Sequence, residues 1–352
     1  MAGTAKRAAI ATLVAGGIVV GALALWKLRV VVALLFSAMI IAAAMRPSIE
    51  WLARRRLPRP AGLAVHYLAL LAVVGVALAF AVPKAVSEVD LALSPTGKAQ
   101  IAHAANRSSG VKQQVLRALQ KRLNHLPTRS QLLKPATEVG VKAFEVAIGI
   151  FFTFAAAAYW IFERDRAVDL VCSLIPRPRR KKVRDTWTLI DLRLGAFVRG
   201  QALLIVAVGV VLSLLFWAIG EPYWILVGSF AGLVEMIPVI GPLSAGIVAV
   251  GVGLTSSVTV AALAAACVLA VRICEDYAVM PKVLGEAVGL SPLLVLVSVT
   301  AVGILFSGWA VLFAVPIAAV ATTLFDVVLR NVDPADEETP AVIFSSKEAE
   351  PG

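Results

Sequence analysis

The chain has few charged and few chemically reactive side chains for its length. Of its 352 residues only 16% are charged, and three are cysteine and three histidine, whereas 60% are hydrophobic. Soluble domains carry about a quarter charged residues and less than half apolar ones. The cysteines (Cys172, Cys267 and Cys274) lack CxxC spacing, and two of them lie in or beside an apolar run. This composition excludes an ordinary soluble domain and argues against a disulfide framework or zinc site.

The sequence also lacks a catalytic constellation. Its histidines lie far apart, and it has no nucleophile elbow, phosphate-binding loop or metal-ligand spacing. We therefore expect no enzymatic activity, no cofactor and no metal site. The net charge of +11 does not indicate nucleic acid, because the basic residues cluster in short connections between apolar runs. Such clusters are explained by orientation in a lipid bilayer, which we expect to be the main partner.

Long apolar runs recur along the chain, and about 20 apolar residues cross the hydrocarbon core of a bilayer. The sequence predicts an all-α polytopic membrane protein with about eight transmembrane helices, a re-entrant hairpin broken by Pro and Gly, and amphipathic extramembrane helices. The predicted spans are Ala8–Trp26, Leu28–Met45, Ala61–Val82, Val146–Phe162, Ala202–Gly220, Val258–Ile273, Pro292–Phe306 and Trp309–Leu329, and a broken run covers Pro222–Leu254. The first run resembles a signal peptide but is longer than a usual one, so we interpret it as a retained span.

The basic residues predict the orientation of these spans. Clusters precede the first span and follow the second and the fourth, and the positive-inside rule places all three in the cytoplasm. We expect a multi-pass protein of the inner cell membrane with both termini cytoplasmic. The predicted division is 1–82 N-terminal helices, 83–140 extracytoplasmic amphipathic region, 141–162 transmembrane helix, 163–201 cytoplasmic amphipathic connection, 202–330 transport core, and 331–352 disordered acidic tail.

Two connections have an amphipathic helical pattern. In the outer region the apolar residues recur at four-residue steps, at Val111, Val115, Leu119 and Leu123. In the cytoplasmic connection an apolar stripe is formed by Val183, Trp187, Ile190, Leu194 and Phe197, with Arg184, Asp185, Asp191 and Arg193 away from it. We expect this second helix to lie on the membrane surface or to pack on a neighbouring subunit.

The stretch VEMIPVIGP, residues 234–242, interrupts an apolar run with a carboxylate, two prolines and a glycine. Pro238 and Pro242 lack an N–H and clash with the preceding helical turn, and Gly241 permits a positive φ. Because lipid cannot satisfy the freed backbone groups, non-helical backbone at this depth must face protein or a cavity. The sequence predicts a re-entrant hairpin that enters from the outer side. Glu235 is predicted to line a substrate path or gate.

Other polar residues in the second half have two interpretations. Arg272, Glu275 and Asp276 either belong to the transport path or pair with one another at the cytoplasmic interface. Asp326 lies near Arg330 at a span end and is expected to be interfacial. The C-terminal runs are short or interrupted, at Pro292, Gly308 and Pro316. Paired short segments of this kind are typical of transport sites.

The order of these features resembles the autoinducer-2 exporter family of bacterial permease-like membrane proteins. The resemblance covers nearly the whole chain outside the acidic tail. It rests on Arg46-Pro47, the turn from Tyr159-Trp160 to Asp165-Arg166, Leu174-Ile175-Pro176, Arg199-Gly200-Gln201, the EMIPVIGP break, Pro281-Lys282-Val283-Leu284-Gly285, Leu290-Ser291-Pro292, Gly303, Gly308 and Val315-Pro316.

The resemblance implies a transporter of about eight helices that works as a homo-oligomer. Members of the family are linked to export of the furanone autoinducer-2, and others to exchange of sodium or lithium for protons. The broken segment of the family corresponds here to Glu235, Pro238, Gly241 and Pro242, and its C-terminal Pro and Gly positions to Pro281, Gly285, Pro292, Gly308 and Pro316.

Three functions remain open on the sequence. The first is a secondary transporter or exporter of a small polar solute, driven by an ion gradient or by the gradient of the solute itself, because no nucleotide-binding motif is present. The second is a monovalent cation/proton antiporter with Glu235 or the pair Glu275 and Asp276 as the titrating carboxylates. The third is a membrane scaffold or regulator that binds partners through its amphipathic regions and tail.

Overall fold

The computed structural model describes residues 2–93, 129–238, 240–279, 291–306 and 308–337, together with a few isolated positions between 94 and 128. Within these ranges the chain is helical and contains no β-strand, so the prediction of an all-α polytopic fold is confirmed. The α-helices are α1 (Ala2–Lys27), α2 (Arg29–Arg54), α3 (Arg59–Leu93), α4 (Arg129–Ser173), α5 (Arg177–Ala218), α6 (Trp224–Val234), α7 (Ile240–Ser256), α8 (Val258–Cys274), α9 (Pro292–Leu305) and α10 (Ala314–Val328). A π-helical segment, Glu275–Val279, extends α8, and a 3₁₀ segment, Gly308–Phe313, precedes α10.

Six of the described helical stretches are long and apolar enough to cross a membrane. They are Arg29–Arg54, Arg59–Val76, Phe144–Ser173, Arg177–Ala218, Val258–Ala278 and Ala310–Val328. Helices α6, α7 and α9 are apolar but shorter. The exact number of spans and the re-entrant hairpin therefore stay predictions.

One predicted turn is wrong, and one helix extends beyond the span predicted for it. Helix α2 continues through Pro47 to Arg54, and the predicted turn from Tyr159 to Arg166 lies inside α4, which ends at Ser173. In both places the hydropathy of the sequence falls, but the backbone stays helical. The break between α4 and α5 instead lies at residues 174–176, where Pro176 precedes the first residue of α5.

The apolar stripe of residues 183–197 forms the N-terminal half of α5 and packs within its own chain. Leu194 is buried in a cluster with Ile40 of α2 and with Val315 and Ala319 of α10. The ring of Trp187 stacks on Trp160 of α4 with centroids 6.2 Å apart. The prediction that this helix lies on the membrane surface or on another subunit is therefore wrong, because α2, α4 and α10 already cover its apolar face.

Two polar residues predicted to face away from this stripe, Asp191 and Arg193, also bind other segments of the chain. The Arg193 guanidinium is buried and donates to Thr323 Oγ1 of α10 at 2.8 Å and to Glu337 Oε2 at 2.8 Å. The Asp191 carboxylate accepts from Arg164 Nε of α4 at 2.8 Å. Each charge therefore has a charged partner, and both pairs tie α5 to neighbouring segments.

The beginning of the acidic tail contacts the helices. Lys182 Nζ of α5 donates to Asn331 Oδ1 at 2.8 Å, and Glu337 accepts from Arg193 as described above. Residues 331–337 therefore contact α5 at both of their ends, and disorder of the acidic tail stays a prediction. The rest of the tail and the amphipathic pattern from Val111 to Leu123 lie almost wholly outside the described residues.

Candidate functional site

The break in the second half of the chain lies between α6 and α7. Helix α6 ends at Val234, and Ile237 N donates to the Val234 carbonyl at 3.0 Å in the turn that follows. Gly241 N then donates to the Ile237 carbonyl at 2.8 Å as α7 begins. Pro238 therefore lies in the turn, as predicted. Pro242 lies in the first turn of α7, where its missing N–H has no helical partner to lose.

Gly241 is required for a close approach and not for a positive φ. It lies inside α7, and the glycine with positive φ in the described residues is Gly220, at 72°. A Cβ at position 241 would collide with the carbonyl group of Val234 at the end of α6. The expected role of Gly241 is thus corrected: it allows the start of α7 to lie directly against the end of α6.

Small residues also bring α6 close to α5. A Cβ at Gly232 would lie 2.5 Å from the Ile205 carbonyl oxygen, and one at Gly228 would lie 2.6 Å from Ser213 Cα. At the end of this contact Gln201 Nε2 of α5 donates to the Glu235 carbonyl oxygen at 3.0 Å. Gln201 therefore satisfies one of the backbone carbonyls that the helix end leaves without an intrahelical partner.

The Glu235 side chain joins a cluster of charges around Arg272 of α8, which we call the Arg272 cluster. Arg272 Nη1 lies 3.3 Å from Glu235 Oε1 and 3.2 Å from Glu275 Oε2, and Arg272 Nη2 lies 2.9 Å from Asp276 Oδ1. The Glu235 and Glu275 side chains are 7% and 4% exposed, whereas that of Asp276 is 45% exposed. The structure thus brings together four of the predicted site residues, from the helix break and from α8.

The Arg272 cluster has an excess of acidic groups. Three carboxyl groups share one guanidinium, and the two most buried ones, those of Glu235 and Glu275, also interact with each other. Fully ionised, the cluster would carry two uncompensated negative charges. In a site of low dielectric constant such charge attracts a proton or another cation, or binds the hydroxyl and ammonium groups of a solute.

The π-helical segment sets the position of two of these carboxyl groups. Glu275 and Asp276 are its first two residues, directly after α8. A π-helical turn contains an extra residue, and such turns occur frequently at functional sites. No sequence signal predicts this irregularity, but both acidic residues are recognisable in the sequence as polar groups beside an apolar run.

The second interrupted region lies against the break. Ile237 of the turn packs against a buried cluster formed by α9 and the segment leading into α10: Val299, Val302, Ala310, Val311 and Ala314. Pro292 is the first residue of α9, where Ser291 Oγ accepts from Leu294 N at 3.3 Å, and Pro316 is buried in α10. Gly308 begins the 3₁₀ segment. The two irregular regions predicted to form a transport site thus meet at Ile237.

The remaining predicted residues do not join the Arg272 cluster. Asp326 pairs with Arg330 at 3.2 Å, four residues further along the chain, with the arginine side chain 69% exposed. Pro281 and Gly285 lie outside the described residues. Within the part of the chain that the structure describes, no three His, Cys, Asp or Glu side chains are arranged to hold a metal ion.

Glu221 is a buried acid that the sequence did not identify as a site residue. It lies between α5 and α6, is 3% exposed, and belongs to the Gly-Glu-Pro-Tyr stretch that is typical of a polar loop. The signal that could have identified it is its position between two apolar runs, the same criterion that identified Glu235.

A large apolar cavity of about 690 Å³ lies away from these charges, between α2 and the C-terminal helices. Phe36, Phe306 and Phe313 are among its lining residues, and Arg29 is the charged one. Its lining offers almost no polar groups for a hydrophilic solute, so the Arg272 cluster is the better candidate site.

Apolar helices of spanning length, a helix break between two apolar helices and a buried charge cluster beside it are typical of a polytopic membrane transport protein. Comparison with known proteins agrees. The family model described as "AI-2E family transporter" matches residues 16–330. The chain belongs to this family.

Curated relatives match over most of the chain. It is 24% identical to "Putative transport protein YrrI" of Bacillus subtilis, over 78% of this chain and 80% of the relative. It is 26% identical to "Putative transport protein MT0215" of Mycobacterium tuberculosis, over 88% of this chain and 86% of the relative. A shorter match, 29% identical over 28% of this chain and 30% of the relative, joins it to "Putative transport protein" of Methanothermobacter thermautotrophicus.

Proposed function

We propose that this protein is a secondary transporter that exports a small polar solute, such as the signalling molecule autoinducer-2, through a path that includes the Arg272 cluster. The observation that carries the proposal is Glu235: its carboxyl group is buried at a helix break and paired with Arg272 of another helix. Ionisable residues in membrane segments line substrate and ion paths more often than they serve packing alone.

The Arg272 cluster lies where a movement of α6 and α7 would change access to its side chains. Helix α6 packs on α5 through its glycines, and the break packs on α9 through Ile237, whereas Met236 and Ile240 at the break are exposed in the single chain. The contact between α5 and α6 also contains the buried side chains of Val208, Leu212 and Phe216, so a movement of α6 and α7 would rearrange this cluster. Such a movement would open or close access to Glu235 and Arg272, as alternating access requires.

The test is transport in proteoliposomes that contain purified protein and autoinducer-2. We expect Glu235→Gln and Arg272→Gln each to lower the initial rate by about tenfold or more, which is ~1.4 kcal/mol or more of lost transition-state stabilisation. The matched control is Asp326→Asn, which removes an exposed acid–arginine pair at another site and should transport normally. Normal transport by folded Glu235→Gln protein would refute the proposed path.

A second candidate is exchange of sodium or lithium for protons. The observation that favours it is the excess of acidic groups, since three carboxyl groups share one guanidinium in the Arg272 cluster. A pH-sensitive dye inside proteoliposomes would report proton movement when sodium or lithium is added. Choline chloride is the control salt, and equal signals with choline and sodium would exclude this candidate.

We further propose that the protein works as a homo-oligomer in the inner membrane with both termini in the cytoplasm. The arginine-rich connections between the spans and the family resemblance support this arrangement. A green fluorescent protein fused after Gly352 should fluoresce, and alkaline phosphatase fused at the same place should be inactive. Light scattering of the detergent-solubilised protein would give the number of subunits.

A further inference from the structure

Glu221 lies in the five-residue connection between α5 and α6. Its backbone N–H donates to the Phe216 carbonyl at 2.9 Å, which folds the chain back over the end of α5. The residues on either side include two with positive φ, Gly220 at 72° and Tyr223 at 58°. This tight turn directs the Glu221 side chain inward, where it is 3% exposed.

The carboxyl group of Glu221 is enclosed by two further helices. A Cβ at Gly253 of α7 would lie 3.1 Å from Glu221 Oε2 and 2.8 Å from Ala261 Cα of α8. Because Gly253 has no side chain, there is room for the carboxyl group of Glu221 at the point where α7 and α8 are in contact. The titratable side chain described near it is the Cys267 thiol of α8, and the neighbours from α5 and α7 at this point, Phe216 and Gly253, carry no charge.

Both carboxyl oxygens of Glu221 are buried, and neither has a hydrogen-bond partner among the described residues. The other buried charged side chains of the described chain are all paired: Glu50 with Arg59, Arg164 with Asp191, Arg193 with Glu337, and Glu235 and Glu275 with Arg272. Among the buried charged side chains of the described residues, Glu221 is thus the exception that has no charged partner.

An ionised carboxylate in such a place is costly, because its oxygens are buried and no described cationic side chain pairs with it, whereas the neutral acid loses much less on burial. Glu221 belongs to the connection and not to a spanning helix, and burial raises its pKa from the ordinary value for a carboxyl group to about 7. The arrangement of α5, α7 and α8 seen here therefore favours the form that carries a proton.

We propose that Glu221 is a proton-binding site that couples proton movement to transport. One carboxylate oxygen takes a proton from water while the site is open, and the neutral acid is then enclosed against Gly253 and Ala261. When α7 and α8 separate from the connection, water reaches the carboxyl group, and the proton leaves to water as the carboxylate forms. This inference rests on the proposed function of secondary transport, and it assigns the coupling proton to a site distinct from the Arg272 cluster.

The first test needs no transported solute. Because the folded protein holds the Glu221 proton more tightly than the unfolded chain, this residue makes the fold less stable as pH rises from about 4.5 towards 7. Thermal unfolding of wild type and Glu221→Gln, followed by tryptophan fluorescence at pH 5 and pH 8, measures the effect. We expect Glu221→Gln to gain several degrees relative to wild type between the two pH values, and Glu221→Asp to behave like wild type.

Parallel melting profiles of wild type and Glu221→Gln would overturn the proton site. If Glu221→Gln does not fold, infrared spectroscopy of wild type and Glu221→Asp gives the answer. The carbonyl band of a protonated carboxyl group should disappear between pH 5 and pH 8 in wild type and shift its position in Glu221→Asp. An unchanged band in both proteins would refute the proposal.

The second test addresses coupling, with autoinducer-2 as the probe in proteoliposomes. For Glu221→Gln we expect exchange of labelled for unlabelled solute at equal concentrations to continue, and uptake driven by a pH gradient to be lost. Gradient-driven uptake equal to that of wild type would contradict the coupling role. Absence of transport by wild type would instead refute the proposed function, so the two failures are distinguishable.

Discussion

At the scale of single residues, the structure shows two different reasons why a particular residue is required at a helix break. Pro238 ends the helical backbone because of its own covalent structure, whereas Gly241 matters because of what lies opposite it, the carbonyl group of Val234. The first effect is local and visible in the sequence. The second depends on which backbone approaches, and the spacing of residues carries no information about that.

Substitution of Gly241 should therefore be costly although its backbone is helical. We expect Gly241→Ala to lower the free energy of unfolding by about 1–3 kcal/mol, as overpacking in a close contact does. Gly251 of the same helix is the matched control, because a Cβ there meets nothing within 4 Å. Gly251→Ala should raise stability by about 0.5–1 kcal/mol through helix propensity. Thermal unfolding in detergent measures both, and equal shifts would contradict the assigned contact.

Residue identities predicted much of the candidate site, but not its pairings. Glu235, Arg272, Glu275 and Asp276 were identifiable as charges within or beside apolar runs. That Arg272 reaches across to Glu235 depends on the packing of α8 beside the end of α6, which follows from small residues on several helices. Glu221 was not predicted because its Gly and Pro neighbours indicate an exposed loop. Only the fold shows that the side chain of Glu221 is directed inward.

At the scale of helices, α5 is the element that connects the two halves of the described chain. Its N-terminal half contacts α2, α4 and α10, and its C-terminal half contacts α6 and α8. Hydropathy divides this helix at about residue 201, and the sequence interpretation accordingly assigned the two halves to different compartments and roles. The helix itself is continuous from Arg177 to Ala218, so a displacement of one half is transmitted to the other.

The ion pair between α4 and α5 should hold the N-terminal half of α5 in place. Arg164 and Asp191 have side chains only 10% and 12% exposed, so removing the acid leaves a buried guanidinium with Asp165 as its charged partner. We expect Asp191→Asn to cost about 3 kcal/mol, at the lower end of values for breaking a buried pair.

The control for this substitution lies one residue from Arg164. Glu163 pairs with Arg166 on the exposed side of α4, with side chains 49% and 83% exposed. Glu163→Gln should change stability by less than about 1 kcal/mol. Chemical or thermal unfolding monitored by tryptophan fluorescence measures both variants. Trp160 and Trp187 stack on each other, and Trp160 lies beside the pair of Arg164 and Asp191. Equal losses in the two variants would show that burial does not determine the strength of this pair.

At the scale of the whole molecule, the C-terminal segment closes the fold by returning to α5. Glu337 lies 144 positions from Arg193 in the sequence, and Asn331 lies 149 positions from Lys182. The acidic composition of this segment predicted disorder, because it contains too few apolar residues to bury. Asn331 and Glu337, at the two ends of its first seven residues, nevertheless contact α5, and one of their partners, Arg193, was predicted to lie away from the apolar stripe.

Two truncations of the chain distinguish the roles of this segment. A stop after Glu337 keeps both contacts and should leave stability unchanged within about 0.5 kcal/mol. A stop after Arg330 removes Asn331 and Glu337 and leaves the buried Arg193 with Thr323 as its side-chain partner. We expect it to cost about 1.5–3 kcal/mol, the range for hydrogen bonds to charged groups. Thermal unfolding of the two truncated proteins is the measurement, and identical melting temperatures would contradict a structural role.

The three cysteines have a practical consequence for observing this protein at work. Cys172 is buried and Cys267 half-buried, whereas Cys274 is exposed and directly precedes Glu275 of the Arg272 cluster. A thiol-reactive fluorophore or spin probe would thus attach preferentially beside the candidate site in the unaltered chain. The natural sequence provides its own reporter position, so changes in the surroundings of Arg272 during a transport cycle can be followed in real time without introducing a substitution.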